Sequence, residues 1–215
     1  MPATLLIVDD EPSVRDSFSQ VLADVGYQVR SAEDGFSALQ EIRNELPAQL
    51  LTDLNMPGMS GFELLSVVRR RFPAIQTIAM SGSFAGDEVP SGVAADAYYQ
   101  KGSSILALLR IMETLPPVKR HTHQPTSPDA PLWIHRNTHD FSPDACVTVT
   151  CPECLRSFSE TLGTSRLKRK TDCIYCRTSI HYAILQYADR MPLQLFQRKT
   201  VAAVRALQSA SNPSY

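Results

Sequence analysis

Four short apolar runs in the first half of this chain each stop at a polar residue, and amphipathic segments lie between them. Leu5-Leu6-Ile7-Val8 leads into Asp9-Asp10, Leu50-Leu51-Thr52 into Asp53, residues 75–80 into Ser81, and residues 97–100 into Lys101. A further strand-like run covers residues 27–31. Val14, Phe18, Val21, Leu22 and Val25 recur at helical spacing before Gly26. Phe36, Leu39, Ile42 and Leu46 do so before Pro47, and Phe62, Leu65, Val68 and Phe72 before Pro73. A short, irregular helix is expected within residues 86–95. A last helix is expected over 103–115, capped by Ser103 or Ser104 and stopped by Pro116. This alternation predicts a doubly wound sheet of five parallel strands. Right-handed crossovers place all the strand C-termini on one edge, where open α/β sheets bind ligands. Asp9, Asp10, Asp53, Ser81 and Lys101 are therefore expected to converge there.

A pocket holding three carboxylates is too negative to persist without a cation. Oxygen-only ligands suit Mg²⁺, which binds through one or two carboxylates, water and phosphate oxygens. A nucleophilic Asp can accept a phosphoryl group. Lys101 and Ser81 would supply a positive charge and a hydroxyl to that group, so the stabilisation is mostly positional and electrostatic. The bland alternative for Asp53 is a turn-capping residue ahead of a helix.

Residues 4–115 resemble a response regulator receiver domain of two-component signalling, a flavodoxin-like fold. The matching motifs are Val8-Asp9-Asp10-Glu11, Asp53-Leu54-Asn55-Met56-Pro57-Gly58-Met59-Ser60-Gly61, Met80-Ser81-Gly82 and Tyr98-Tyr99-Gln100-Lys101. The resemblance implies that Asp53 is phosphorylated by a histidine kinase. It also implies that Asp10, Asp53 and the Asn55 carbonyl hold Mg²⁺, with Asp9 nearby through water. Ser81 and Lys101 would contact the phosphoryl group, and Tyr98 matches an aromatic switch position. Two features depart from the family: Lys101-Gly102 stands where Lys-Pro is usual, and Pro90 interrupts the fourth-helix region.

The second half differs in character. Residues 1–115 carry 8 Lys/Arg against 15 Asp/Glu, whereas residues 116–215 carry 13 against 7, a split that suggests two modules with different partners. Residues 116–145 are rich in Pro, His, Ser and Thr and read as a linker. Its exception is Leu132-Trp133-Ile134, which contains the only tryptophan of the chain and is expected to dock on a domain. All five cysteines follow. Cys151-Pro152-Glu153-Cys154 and Cys173-Ile174-Tyr175-Cys176 have the spacing of a tetrahedral Cys₄ zinc site, and residues 146–190 resemble a zinc ribbon. A module this small needs such a staple. A rubredoxin-like iron site would usually carry glycine where Leu155 and Arg177 stand. Cys146 reads as a small buried residue. Residues 191–209 show a helical apolar pattern that could pack on the ribbon or pair with a second copy.

A cytoplasmic phosphorelay protein is the resulting expectation. Its first module (1–115) would work with a sensor histidine kinase or phosphotransfer protein, and its second as output or docking module. The rivals for output are DNA binding and a protein-interaction adaptor. The first would use Arg166, Lys168, Arg169 and Lys170 on phosphates; the second needs no nucleic acid. No enzymatic output is expected, because the second half pairs no nucleophile with a general base. The N-terminus has no basic n-region and no run of about 18 apolar residues occurs, so neither a secretory signal nor a membrane span is expected.

Overall fold

The computed structural model describes residues 3–82, 93–116, 131–135, 146–161 and 168–185. The irregular helix expected within 86–95, most of the 116–145 linker, Arg166 and the helix expected over 191–209 lie wholly or largely outside them.

The first module alternates β1 (Thr4–Val8), α1 (Pro12–Asp24), β2 (Gln28–Ala32), α2 (Gly35–Asn44), β3 (Gln49–Asp53), α3 (Gly61–Arg71), β4 (Gln76–Ser81), β5 (Ala97–Gln100) and α4 (Ile105–Thr114). The five strands are parallel in the order β2-β1-β3-β4-β5, a flavodoxin-like sheet. Strand side chains alternate between faces, so β1 sends Leu5 and Ile7 into one core and Leu6 and Val8 into the other. The first core also holds Leu22, Leu108 and Met112 from α1 and α4. The second takes residues from α2 and α3. Asp34 caps α2 in a box with Ser37, Ser60 caps α3 and Ser104 caps α4. Gly26, at φ +99°, closes α1. Val21, Val25, Phe36 and Leu46, counted above in the apolar stripes, remain substantially exposed at the margins of those stripes.

The second module is built of β7 (Cys146–Thr150), β8 (Ser157–Thr161), β9 (Lys168–Asp172) and β10 (Ser179–Leu185). β7 and β8 form one antiparallel hairpin and β9 and β10 another. The linker contributes an unforeseen element. Residues 132–135 form β6 (Leu132–His135), which pairs in parallel with β10 and so completes a three-stranded sheet β6-β10-β9. The expected docking of Trp133 is thus made by a strand.

This sheet covers α3. Every residue of Gly61–Val68 is buried, where an amphipathic helix would leave a solvent-facing stripe. Glu63 and Ser66, three residues apart on one face, reach the second module. Glu63 Oε1 accepts from the Thr150 N–H at 2.8 Å, and Ser66 Oγ accepts from the Trp133 N–H at 3.2 Å. The α2/α3 core continues without a break through Leu132, Ile134, Val147, Val149, Phe158, Ile180, Tyr182 and Ile184. Cys146 corrects its expectation. It is exposed, because the pleat of β7 turns Val147 and Val149 inward and Cys146 and Thr148 outward.

Val67 is fully buried and shares the outer face of α3 with Glu63 and Ser66 by helical spacing. Val67→Asp places a charge under the second module at a cost of ~2 kcal/mol or more. Calorimetry should show a midpoint lowered by several degrees and a transition split in two. A single unshifted transition would contradict the two-sided burial of α3.

Candidate functional site

The strand C-termini bring the expected residues together. Asp9 and Ser81 are fully buried, Asp53 is 6% exposed, and Asp10 is exposed at the rim. One carboxylate oxygen from each of Asp9, Asp10 and Asp53 falls within a cluster less than 4.8 Å across. The Lys101 ammonium sits against two of them, 2.6 Å from Asp53 Oδ2 and 2.7 Å from Asp9 Oδ2. Asp9 Oδ1 accepts from the Glu11 N–H at 3.0 Å, and Arg15 Nη1 donates to the Asp9 carbonyl at 2.7 Å. The Asn55 N–H reaches Asp53 Oδ1 at 3.3 Å, and Asn55 Nδ2 lies 3.4 Å from Ser81 Oγ.

Burial raises the Asp53 carboxyl above its ordinary value, although the Lys101 hydrogen bond and charge pull the other way. For Lys101 burial is the largest single influence and would lower it. The hydrogen bonds and charges of Asp53 and Asp9 together outweigh burial and hold the ammonium above its ordinary value. The Tyr98 hydroxyl donates to the Ser81 carbonyl at 3.2 Å. Burial raises its phenol, and the Asp53 charge adds to that rise.

Two glycines shape the loops. A Cβ on Gly61 would lie 1.9 Å from the Asp53 carbonyl oxygen, so α3 begins hard against the strand end that carries Asp53. Gly102, in the place of the usual proline, takes φ +86°. No cis peptide occurs among the described residues.

The second cluster is soft. The sulfurs of Cys151, Cys154, Cys173 and Cys176 all lie within 4.8 Å of one another, with Cys151–Cys176 and Cys154–Cys173 each at 3.6 Å. Tetrahedral thiolate zinc requires sulfurs about 3.8 Å apart, given Zn–S bonds of about 2.3 Å, so the four positions fit. The two knuckles repeat one backbone pattern. Leu155 N–H donates to the Cys151 carbonyl at 2.8 Å and Arg177 N–H to the Cys173 carbonyl at 2.9 Å. Cys151 and Cys173 donate in turn to Arg156 and Thr178. Leu155 and Arg177 adopt left-handed φ of 57° and 63°, so the knuckles turn without glycine. Residue identity there consequently does not separate zinc from iron. Burial pushes the Cys151 thiol up to about 12, whereas the hydroxyl and N–H of Thr178 draw Cys176 down to about 6. Bringing all four sulfurs together as thiolates would need a cation to hold them.

Among the basic residues between the knuckles, Arg169 is less available than a residue at a hairpin tip would be. Arg169 and Lys170 lie in β9; Arg169 is half-buried and donates to the Thr161 carbonyl at 3.4 Å, while Lys170 is exposed. Lys168 is in the same strand.

Glu63 is the residue that sequence reasoning missed. Ser60-Gly61-Phe62-Glu63 reads as a capping box, and Ser60 does accept from the Glu63 N–H. The carboxyl, however, turns out to Thr150. Burial raises it to about 7 against the hydrogen bonds from Thr150. A rise from 4.5 to about 7 corresponds to roughly 3 kcal/mol.

Lys101 is the cation touching both Asp9 and Asp53. Lys101→Met should therefore move the Asp53 carboxyl further up, read from the pH titration of its carboxyl carbon by NMR. An unchanged titration would contradict this account of the pocket.

Comparison with known proteins agrees with this geometry. The family described as "Response regulator receiver domain" matches residues 5–100. Response regulator MprA of Mycobacterium sp. (strain KMS) is 32% identical over 133 residues, covering 61% of this chain and 56% of that protein. DNA-binding transcriptional regulator NtrC of Escherichia coli K12 is 33% identical over 97 residues, 45% of this chain and 19% of that protein. The chain thus spans about half the length of MprA and much less of NtrC. Among solved structures, chemotaxis response regulator CheY4 of Vibrio cholerae superposes with a TM-score of 0.50 at 28% identity, over 54% of this chain and all of that one. Response regulator TrrA of Thermotoga maritima, solved with Mg²⁺ and BeF, gives 0.50 at 28% identity, over 53% of this chain and 99% of that one. The N-terminal module of this protein is a response regulator receiver domain.

Proposed function

We propose that this protein is a phosphorelay response regulator. Asp53 accepts a phosphoryl group from a sensor histidine kinase or phosphotransfer protein, and the cysteine module is a zinc ribbon acting in output or docking. The observation that carries this reading is the convergence of Asp9, Asp10, Asp53, Ser81 and Lys101 at one sheet edge, with Lys101 within 2.7 Å of both buried carboxylates.

The donor set suits a hard divalent cation, and the relative TrrA was solved with Mg²⁺ and BeF. Asp9, Asp10 and Asp53 would hold Mg²⁺ here, together with the Asn55 carbonyl that the family resemblance implies. Bound there, the ion would neutralise charge on the incoming group. In the transfer, an Asp53 oxygen forms the new P–O bond as the donor's bond to phosphorus breaks. Lys101 moves its charge to a phosphoryl oxygen, and Ser81 can donate its hydroxyl to another. Tyr98, tied to the Ser81 carbonyl, is placed to respond to a change at Ser81.

The Cys₄ geometry supports zinc in a reducing compartment such as the cytoplasm. No helix among the described residues is long and apolar enough to cross a membrane. The module is read as a binding element and not as an enzyme. The exposed Lys170 and the basic excess of residues 116–215 favour nucleic acid as the alternative output target. On that alternative the full chain retards DNA in a salt-dependent way. Absence of retardation at low salt removes it.

Intact-mass measurement after incubation with acetyl phosphate tests the main reading. One labile phosphoryl group is expected with Mg²⁺, and none without Mg²⁺ or in Asp53→Ala. A folded, unmodified wild type would overturn phosphoacceptance. Native mass spectrometry of the same protein should show one tightly held zinc, lost in Cys151→Ser. Iron, or no metal, would overturn the ribbon assignment.

A further inference from the structure

The receiver chemistry makes no use of Glu63, yet it is 2% exposed and aimed out of the receiver at the second module. Its Oε1 takes the Thr150 N–H, which would otherwise be an orphaned donor at the end of β7, next to Cys151. Among the described residues, the elements around it bring no counter-ion. The arginines of α3, Arg69, Arg70 and Arg71, lie about two turns further along the helix, and Arg69 is paired with Asp96. β6 offers Leu132, Trp133 and Ile134, and β7 offers Val149 and Thr150. β8 offers Ser157, whose hydroxyl is 3.0 Å from Thr150 Oγ1, and Phe158. Among the described residues Thr150 alone exerts a resolved effect on Glu63 besides burial. A carboxylate in such a place is poorly solvated and lacks a cation, whereas the neutral acid still accepts from Thr150.

We propose that Glu63 is a proton-operated latch. Its neutral form holds the cysteine module on α3, and its ionised form loosens that contact. Glu63 takes no part in the phosphoryl chemistry proposed at Asp53.

The direction follows from linkage. Glu63 has its carboxyl raised to about 7 when docked and has the ordinary value of 4.5 when released. Docking is therefore strongest below 4.5 and weakens as pH rises to about 7, by up to about tenfold per pH unit. Above that, both states are ionised and docking no longer changes with pH. The latch thus works on the acid side of neutrality.

Trp133, the only tryptophan, sits at this contact and serves as reporter. The experiment is urea unfolding of the zinc-loaded full chain, followed by Trp133 emission from pH 5.5 to 8.5. The wild-type midpoint should fall between pH 5.5 and about 7 and then level off. Glu63→Gln keeps an acceptor without the charge, so its midpoint should lack that fall and exceed the wild type at pH 8. Glu63→Leu removes the acceptor, so its midpoint should be lower than that of Glu63→Gln throughout and lack the same step. Wild-type and Glu63→Gln midpoints that track one another across the whole range would overturn the proposal. So would a wild-type midpoint that is flat from pH 5.5 to 7.

Discussion

From Gly61 to Val68 helix α3 has no side left for water, and much of this molecule follows from that. Its inner face completes the receiver core and its outer face completes the core of the cysteine module. A helix placed this way is a shared wall. Its first residue rests against the carbonyl of Asp53, and two residues later Glu63 takes the backbone of Thr150, next to Cys151. The phosphoacceptor strand and a cysteine knuckle are therefore joined through a single turn of helix. Burial without gaps makes that turn difficult to deform.

The two candidate metal sites meet opposite chemical demands in one chain. At the sheet edge, three carboxylates and one lysine form a hard pocket that keeps a net negative charge for a cation to offset. Lys101 offsets part of that charge, bridging Asp9 and Asp53, and stands where a transferred phosphoryl group would need a cation. In the second module, four sulfurs converge around backbone turns that bend without glycine. Left-handed φ at Leu155 and Arg177 costs about 1 kcal/mol or more each. Metal binding would offset this, because the site and the fold form together.

The sheet edge was legible from sequence because each functional residue directly follows an apolar strand, and parallel strands bring their C-termini to one edge. The knuckles were legible from spacing. Docking of Trp133 is expected from sequence, but the form of the contact between modules is not. Trp133 lies in a Pro-rich stretch with no strand periodicity, and only pairing with β10 makes it a strand. Glu63 carries no sequence signal for such a contact, since a Glu three residues after a serine ordinarily turns back to its own helix. Cys146 was misplaced because alternation in β7 could be phased only once Val147 and Val149 were known to face inward. Local pattern carries the intramodular fold, and tertiary contact decides the rest.

Filled with metal, the cysteine cluster would hold together the module that buries the outer face of α3. Hydrogen–deuterium exchange of the full chain, with Mg²⁺ present, before and after a thiolate-directed chelator, tests this most directly. The account predicts that amides of α3 lose protection when the cluster is emptied, while those of β1 and β3 keep theirs. Unchanged protection across α3 would show that the helix does not depend on the cysteine module for its burial, and would contradict the account.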